Sequence, residues 1–228
     1  MFSPRIAASI GAMLSLMTMI VLAGAMTLAG CRQQPQDNGE RGGFAVRDSA
    51  DCLPDITLVD QHGRKVSLAS LKGKPVLFDF IYTTCPGPCL LLTQRMKRIA
   101  NQLGPKLGAD ARIVSLTVDP EHDQQKQLLA YANEWHADIN GWLFLTGTPQ
   151  QIDEVLSRFN LIRQRDADGT VGHVLEFFLV DASGHAILQY LGEKAAPELV
   201  ANDVERAAAG EPVTAANGAG VTAALFTR

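Results

Sequence analysis

The apolar and polar positions divide the chain into a charge-free leader, a polar stretch and an alternating strand–helix body. Between Ile6 and Gly30 there is no charged residue, and Arg5 alone is charged ahead of that run. Residues 32–50 are polar and glycine-rich and read as a flexible tether. Ile56–Val59 then alternates, meets the turn Asp60-Gln61-His62-Gly63 and is followed by Lys65–Leu68, which predicts a β-hairpin. Pro75–Ile81 is nearly continuously apolar, as a strand buried on both faces should be, and Ala111–Val118 reads the same way. Cys89–Leu103 carries Leu90, Leu91, Leu92, Met96, Ile99 and Leu103 at helical spacing. Asp123–Trp135 predicts a helix capped by Asp119-Pro120-Glu121, and Trp142–Leu145 a short strand. Pro149–Phe159 predicts a helix with Thr148 as N-cap and Pro149 in its first position. Val174–Val180 and His185–Tyr190 flank the turn Asp181-Ala182-Ser183-Gly184 as a second hairpin, and Ala196–Ala208 is a closing helix.

The order is hairpin, strand, helix, strand, helix, strand, helix, hairpin, helix. A βαβ core followed by an antiparallel hairpin predicts the α/β class, a thioredoxin-like fold with an added N-terminal β-hairpin. The expected organisation is a leader over 1–30, a tether over 31–51, the folded domain over 52–208 and a poorly ordered Ala/Gly-rich tail over 209–228.

Composition narrows the function. With 46% hydrophobic and 19% charged residues among 228, the chain is neither wholly disordered nor collagen-like. A net charge of −4 without a Lys/Arg run gives a nucleic-acid partner no electrostatic support. Leu28-Ala29-Gly30-Cys31 resembles the cleavage region of a bacterial lipoprotein signal, with Cys31 as the lipidated residue. The apolar run is longer than an ordinary signal core, so an uncleaved membrane anchor is the alternative. Both readings leave Arg5 on the cytoplasmic side and hold the domain at the membrane on the periplasmic face, where cysteines meet an oxidising medium.

The candidate chemistry lies in Thr83-Thr84-Cys85-Pro86-Gly87-Pro88-Cys89, between the central strand and the following helix. The free N–H groups of a helix start favour thiolate over thiol. A thiolate is both the nucleophile of disulfide exchange and a soft ligand for Cu(I). An i, i+4 pair here has its Cα atoms about 6 Å apart, within reach of a disulfide. The same two sulfurs can therefore be oxidised or metallated, and an inert structural bridge is the plain alternative. No proline lies between Pro149 and Pro197, so the proline that faces the cysteines in thioredoxin-type oxidoreductases has no counterpart. His173 stands at that place instead, and in this fold it would complete a Cys₂His set suited to copper. Cys52 reads as a buried or half-buried free thiol. His62, His122, His136 and His185 read as surface residues, as do Lys72 and Lys74, whereas Phe78, Phe80, Trp135 and Trp142 read as core.

The sequence resembles the Sco/SenC family, the copper chaperones of cytochrome oxidase assembly. The resemblance rests on Val59–Gly63, Lys72–Thr83, the Cys85/Cys89 pair, Ser115–Pro120, Trp142–Gly147 and Phe178–Asp181. It implies a copper ion held by Cys85, Cys89 and His173, with the cysteines cycling between dithiol and disulfide. It also implies delivery of copper to the copper-bearing subunit of cytochrome c oxidase, with a further copper chaperone or a thiol reductase as an additional partner. Asp119 matches a family aspartate near the site, where it would order the surrounding loop; capping the next helix is its other reading. The chain departs from the family in lacking an acidic residue between the two cysteines and in having Gly172 before the histidine. A thiol–disulfide oxidoreductase acting on an exported or oxidase target, with Cys85 attacking and Cys89 resolving, is the alternative function.

Overall fold

The structure is a computed structural model that describes residues 43–46, 49–85, 87–166, 171–172 and 175–213. The leader, Cys31, His173 and the last 15 residues lie outside the described residues.

Eight described strands form one sheet in the order β1-β10-β9-β4-β5-β6-β2-β3. Its centre is β4 (Val76–Ile81), parallel to β5 (Arg112–Thr117), which is in turn parallel to β6 (Trp142–Thr146). All six β4 residues are buried, which explains its unbroken apolar run. On the far side of β4 lies β9 (Glu176–Val180), antiparallel to it and to β10 (Ala186–Leu191). The expected N-terminal hairpin, β2 (Thr57–Asp60) and β3 (Lys65–Ser67), joins the other edge through β6. The thioredoxin-like fold with its added hairpin is what these pairings build.

Helices cover both faces. One face carries α1 (Pro88–Leu103), α2 (Gln125–Glu134) and α4 (Pro197–Ala208), which bury Leu92, Met96, Ile99, Leu128, Tyr131, Val200 and Val204 against Leu77, Ile81, Ile113, Trp142 and Phe144. The other face carries α3 (Pro149–Arg158) and a 3₁₀ turn at Leu68–Leu71, packed on Phe78, Phe80, Val114, Leu116 and Phe178. Alternation along β4 sends Phe78 and Phe80 to one core and Leu77, Asp79 and Ile81 toward the other face. Phe159, just past α3, touches Phe78, Phe80 and Phe178 at ring-centroid distances of 5.0, 5.3 and 5.1 Å.

Four expectations need correction. Residues 43–51 do not all behave as tether. Gly43–Ala45 forms the edge strand β1 on β10, Asp51 bridges His185, and Cys52 N–H bonds the Gly184 carbonyl at 2.7 Å. Gly43 lies against the Tyr190 ring, which a Cβ would approach to 2.9 Å. The pairing is set by that exposed edge, which the polar composition of the stretch does not reveal. The helix expected to be capped by Asp119-Pro120-Glu121 starts later, at Gln125, with Gln124 as its N-cap. Thr148, by contrast, forms a full capping box with Gln151. The lysines are not simply solvated, since Lys72 bonds Asp51 at 2.6 Å and Lys74 bonds the Gly108 carbonyl at 3.1 Å. Trp135 is only partly buried, while Trp142, Phe78 and Phe80 are core.

Candidate metal and redox site

Strand β4 ends at Ile81, and the chain turns back at once, Cys85 N–H bonding the Tyr82 carbonyl at 3.2 Å. Helix α1 then starts with Gly87 as N-cap and Pro88 in its first turn, so Cys89 lies in that turn. No side-chain hydrogen bond caps this end, and the positive end of the helix dipole there favours an electron-rich sulfur. Cys85 and Cys89 form a disulfide with Cα atoms 6.1 Å apart, matching the spacing expected from the sequence. Both are buried, Cys85 at 7% exposure and Cys89 at 1%.

The loop is held from beneath by Asp123, which is fully buried. Its carboxylate accepts from Thr83 N–H at 2.9 Å, Thr83 Oγ1 at 2.5 Å and Thr117 Oγ1 at 2.7 Å, with His122 Nδ1 at 3.2 Å. Thr117 Oγ1 also accepts from Asp119 N–H at 2.9 Å. The Asp119 carbonyl accepts from His122 and Asp123 N–H, and its carboxylate pairs with Arg165. Asp119 therefore organises the 117–123 turn rather than a helix end. Asp123 was not singled out in the sequence. It opens the helix expected from the sequence, whereas its partner Thr83 is 40 residues away.

His173 and Val174 are outside the described residues, but Val171–Gly172 before them and Leu175 after them are described. On one side, β8 (Val171–Gly172) pairs antiparallel with β7 (Gln164–Arg165), a two-stranded ladder apart from the main sheet. On the other, the Leu175 carbonyl accepts from Gly192 N–H at 2.8 Å. Gly192 fits between that carbonyl and Leu92 of α1; a Cβ would come within 2.9 Å of the first and 3.0 Å of the second. Leu92 is one turn beyond Cys89, so Leu175, two residues after His173, stands beside the helix that carries the dithiol. Leu175 also packs on the apolar cluster that contains Cys85 and Cys89.

Two buried groups have displaced acidities. Cys52 is fully buried, its Sγ donating to the Ala50 and Arg158 carbonyls at 3.4 and 3.5 Å, and burial pushes its thiol up to about 11. It is a free, buried thiol, as expected. Asp79, on β4, is fully buried, and burial pushes its carboxyl up to about 7 against the opposing hydrogen bond from Ser115. Asp79 Oδ1 accepts from Ser115 Oγ at 2.5 Å, Ser115 Oγ accepts from Trp142 Nε1 at 2.9 Å, and Asp79 Oδ2 has no hydrogen-bond partner. His62, His122, His136 and His185 are exposed; His62 pairs with Asp138 at 2.7 Å. No described helix is long and apolar enough to cross a membrane.

Comparison with known proteins accounts for this architecture. Residues 45–209 match the SCO1/SenC family. The chain is 32% identical to BsSco, described as a member of the Sco family of cytochrome c oxidase assembly proteins with a disulfide switch; the likeness covers 72% of this chain and 98% of that one, with a TM-score of 0.62. It is 28% identical to a SCO1/SenC family lipoprotein from Bacillus anthracis, over 72% of this chain and 99% of that one, with a TM-score of 0.64. It is also 28% identical to Bradyrhizobium japonicum ScoI, solved with copper bound, over 66% of this chain and 96% of that one, with a TM-score of 0.59.

Proposed function

The chain belongs to the SCO1/SenC family, and on that premise we propose that it is a membrane-tethered carrier that takes up copper on Cys85, Cys89 and His173 and delivers it to cytochrome c oxidase during assembly. The observation that supports this best is the cysteine pair. Two sulfurs of one loop, close enough to bond, sit at an uncapped helix start beside a strand end. Two thiolates make a soft donor set suited to Cu(I), and an imidazole extends it toward Cu(II). The copper-bound relative of the same fold supports the choice of cargo.

The disulfide must open before metal binds. An external dithiol supplies two electrons and two protons, becoming a disulfide itself, and leaves Cys85 and Cys89 as thiols. The metal then displaces the thiol protons, so uptake is coupled to proton release. Release to the oxidase subunit would run by ligand exchange, one donor at a time. Lipidation of Cys31 would keep the domain at the periplasmic face, as the lipoprotein relative suggests. Replacing Cys31 by alanine should move the protein from the membrane to the soluble fraction.

The direct test is titration of the reduced protein with Cu(I) and Cu(II), alone and with His173→Ala. Stoichiometric uptake by the reduced form, none by the oxidised form and weakened Cu(II) binding in the variant are expected. Absence of uptake by the reduced protein would overturn the reading and leave thiol exchange as the use of the pair.

A further inference from the structure

Two buried polar contacts frame the cysteine pair, one on each side. Ahead of Cys85, Asp123 accepts from Thr83 N–H at 2.9 Å and from Thr83 Oγ1 at 2.5 Å, while Thr117 Oγ1 at the end of β5 donates to the same carboxylate at 2.7 Å. Only Thr84 separates this contact from Cys85, whose N–H turns back to the Tyr82 carbonyl at 3.2 Å. Cys89 is held through its own peptide. Its carbonyl accepts from Thr93 Oγ1 at 3.2 Å, and Thr93 Oγ1 lies 2.6 Å from the Tyr131 hydroxyl of α2. Thr93 has one hydroxyl proton and gives it to Cys89, so Tyr131 is the donor to Thr93. Burial pushes the Tyr131 hydroxyl up to about 12, against the Thr93 hydrogen bond, which keeps that proton in place at neutral pH. Thr93, Tyr131 and Asp123 are all buried, where hydroxyl and carboxyl groups cost free energy unless they are bonded. Valine and phenylalanine would fill the places of Thr93 and Tyr131 without that cost.

A dithiol closes to a disulfide as readily as its sulfurs are held within reach of one another, a property expressed as an effective molarity. Reduction removes the covalent bond between Cys85 and Cys89, and from then on only the surrounding structure keeps them together. The two contacts act on opposite ends of the pair and come from different elements, the 117–123 turn on the Cys85 side and α2 on the Cys89 side. We propose that Asp123 and the Thr93–Tyr131 hydroxyl pair are positioning residues of the dithiol, which hold the reduced sulfurs in place and so set the reduction potential of the pair. This rests on the opening of the disulfide in the reading above and needs no metal. Loosening either contact lowers the effective molarity, disfavours the disulfide and makes the potential less negative.

The test equilibrates the full chain, without metal, in dithiothreitol buffers of graded composition. Dithiothreitol gives two electrons and two protons to the protein disulfide and closes to its own cyclic disulfide, so the ratio of oxidised to reduced protein yields the equilibrium constant. Thr83→Val and Thr93→Val each remove a hydroxyl and keep the shape. Each should shift the constant toward the dithiol on the order of 10-fold, which is about 30 mV for a two-electron couple. Tyr131→Phe should move it the same way, and Thr83→Ser and Thr93→Ser should restore the wild-type value. Thr148→Ala, which loses the capping box of α3, should weaken the fold and leave the constant unchanged. A wild-type constant in either valine variant, or an equal shift in Thr148→Ala, would overturn the proposal. A reduced wild type that takes up no copper would defeat the carrier reading alone, because no metal is present in these equilibria.

Discussion

Asp79 sits in the middle of the central strand with one carboxylate oxygen unpartnered and no exposure to water. An ionised carboxylate there lacks the donors that hydration gives it in the unfolded chain. Burial moves the group from 3.8 to about 7, with the Ser115 hydrogen bond opposing the rise. The folded state therefore holds a proton that the unfolded state has already lost between pH of about 4 and about 7, and stability falls as pH rises through that window. A displacement of that size corresponds to about 4 kcal/mol, fully expressed above the folded-state value. Asparagine preserves the shape and the acceptor for Ser115 but cannot ionise. Asp79→Asn is therefore expected to exceed the wild type by about 1–2 kcal/mol near pH of about 5 and by up to about 4 kcal/mol near pH of about 8.5. For a domain of this size that is a rise in melting temperature on the order of 10 °C at the higher pH. Urea unfolding of the oxidised protein at both pH values, with the disulfide intact throughout, measures it. A difference between variant and wild type that is the same at both pH values would refute the argument, because only ionisation makes the effect depend on pH.

Three further outcomes follow from packing and local geometry. The Cys52 thiol, buried and raised to about 11, should resist alkylation in the native protein and react on unfolding, as peptide mass spectrometry of the labelled chain would show. Thr148→Ala removes a complete capping box and should cost about 1 kcal/mol in denaturant unfolding. Phe159→Ala empties the space among Phe78, Phe80 and Phe178 and should cost about 3–5 kcal/mol by the same measurement, with the dithiol's reactivity toward reductant as a control for the site.

What the sequence made legible follows from how local each signal is. The run Val76–Ile81 declares a doubly buried strand through its own residues, and Thr148-Pro149 declares a helix start in the same way. The pair Cys85/Cys89 was visible because its chemistry depends on spacing along one loop. Strand β1 was not, because three residues of a glycine-rich stretch acquire their structure from the edge of β10. The ladder β7–β8 was hidden for a like reason: its two-residue strands carry no period, and ion pairs to a loop some 45 residues away hold it. Asp79 was concealed inside an apolar run, where one carboxylate changes the pattern little and the energetics greatly. Asp119 shows the reverse error, a local motif that predicts a cap while the side chain serves a distant arginine.

The two attachments of the 117–123 loop differ in their access to dissolved ions. Asp123 is sealed from solvent, and counterions cannot screen its bonds to Thr83. On the other side, Arg165 is 41% exposed, and Glu121 and Asp153, the partners of Arg163, are 47% and 56% exposed. Raising the ionic strength should therefore loosen the arginine pairs beside β7, seen as faster hydrogen exchange at Gln164 and Arg165, while leaving the bonds between Asp123 and the cysteine loop in place.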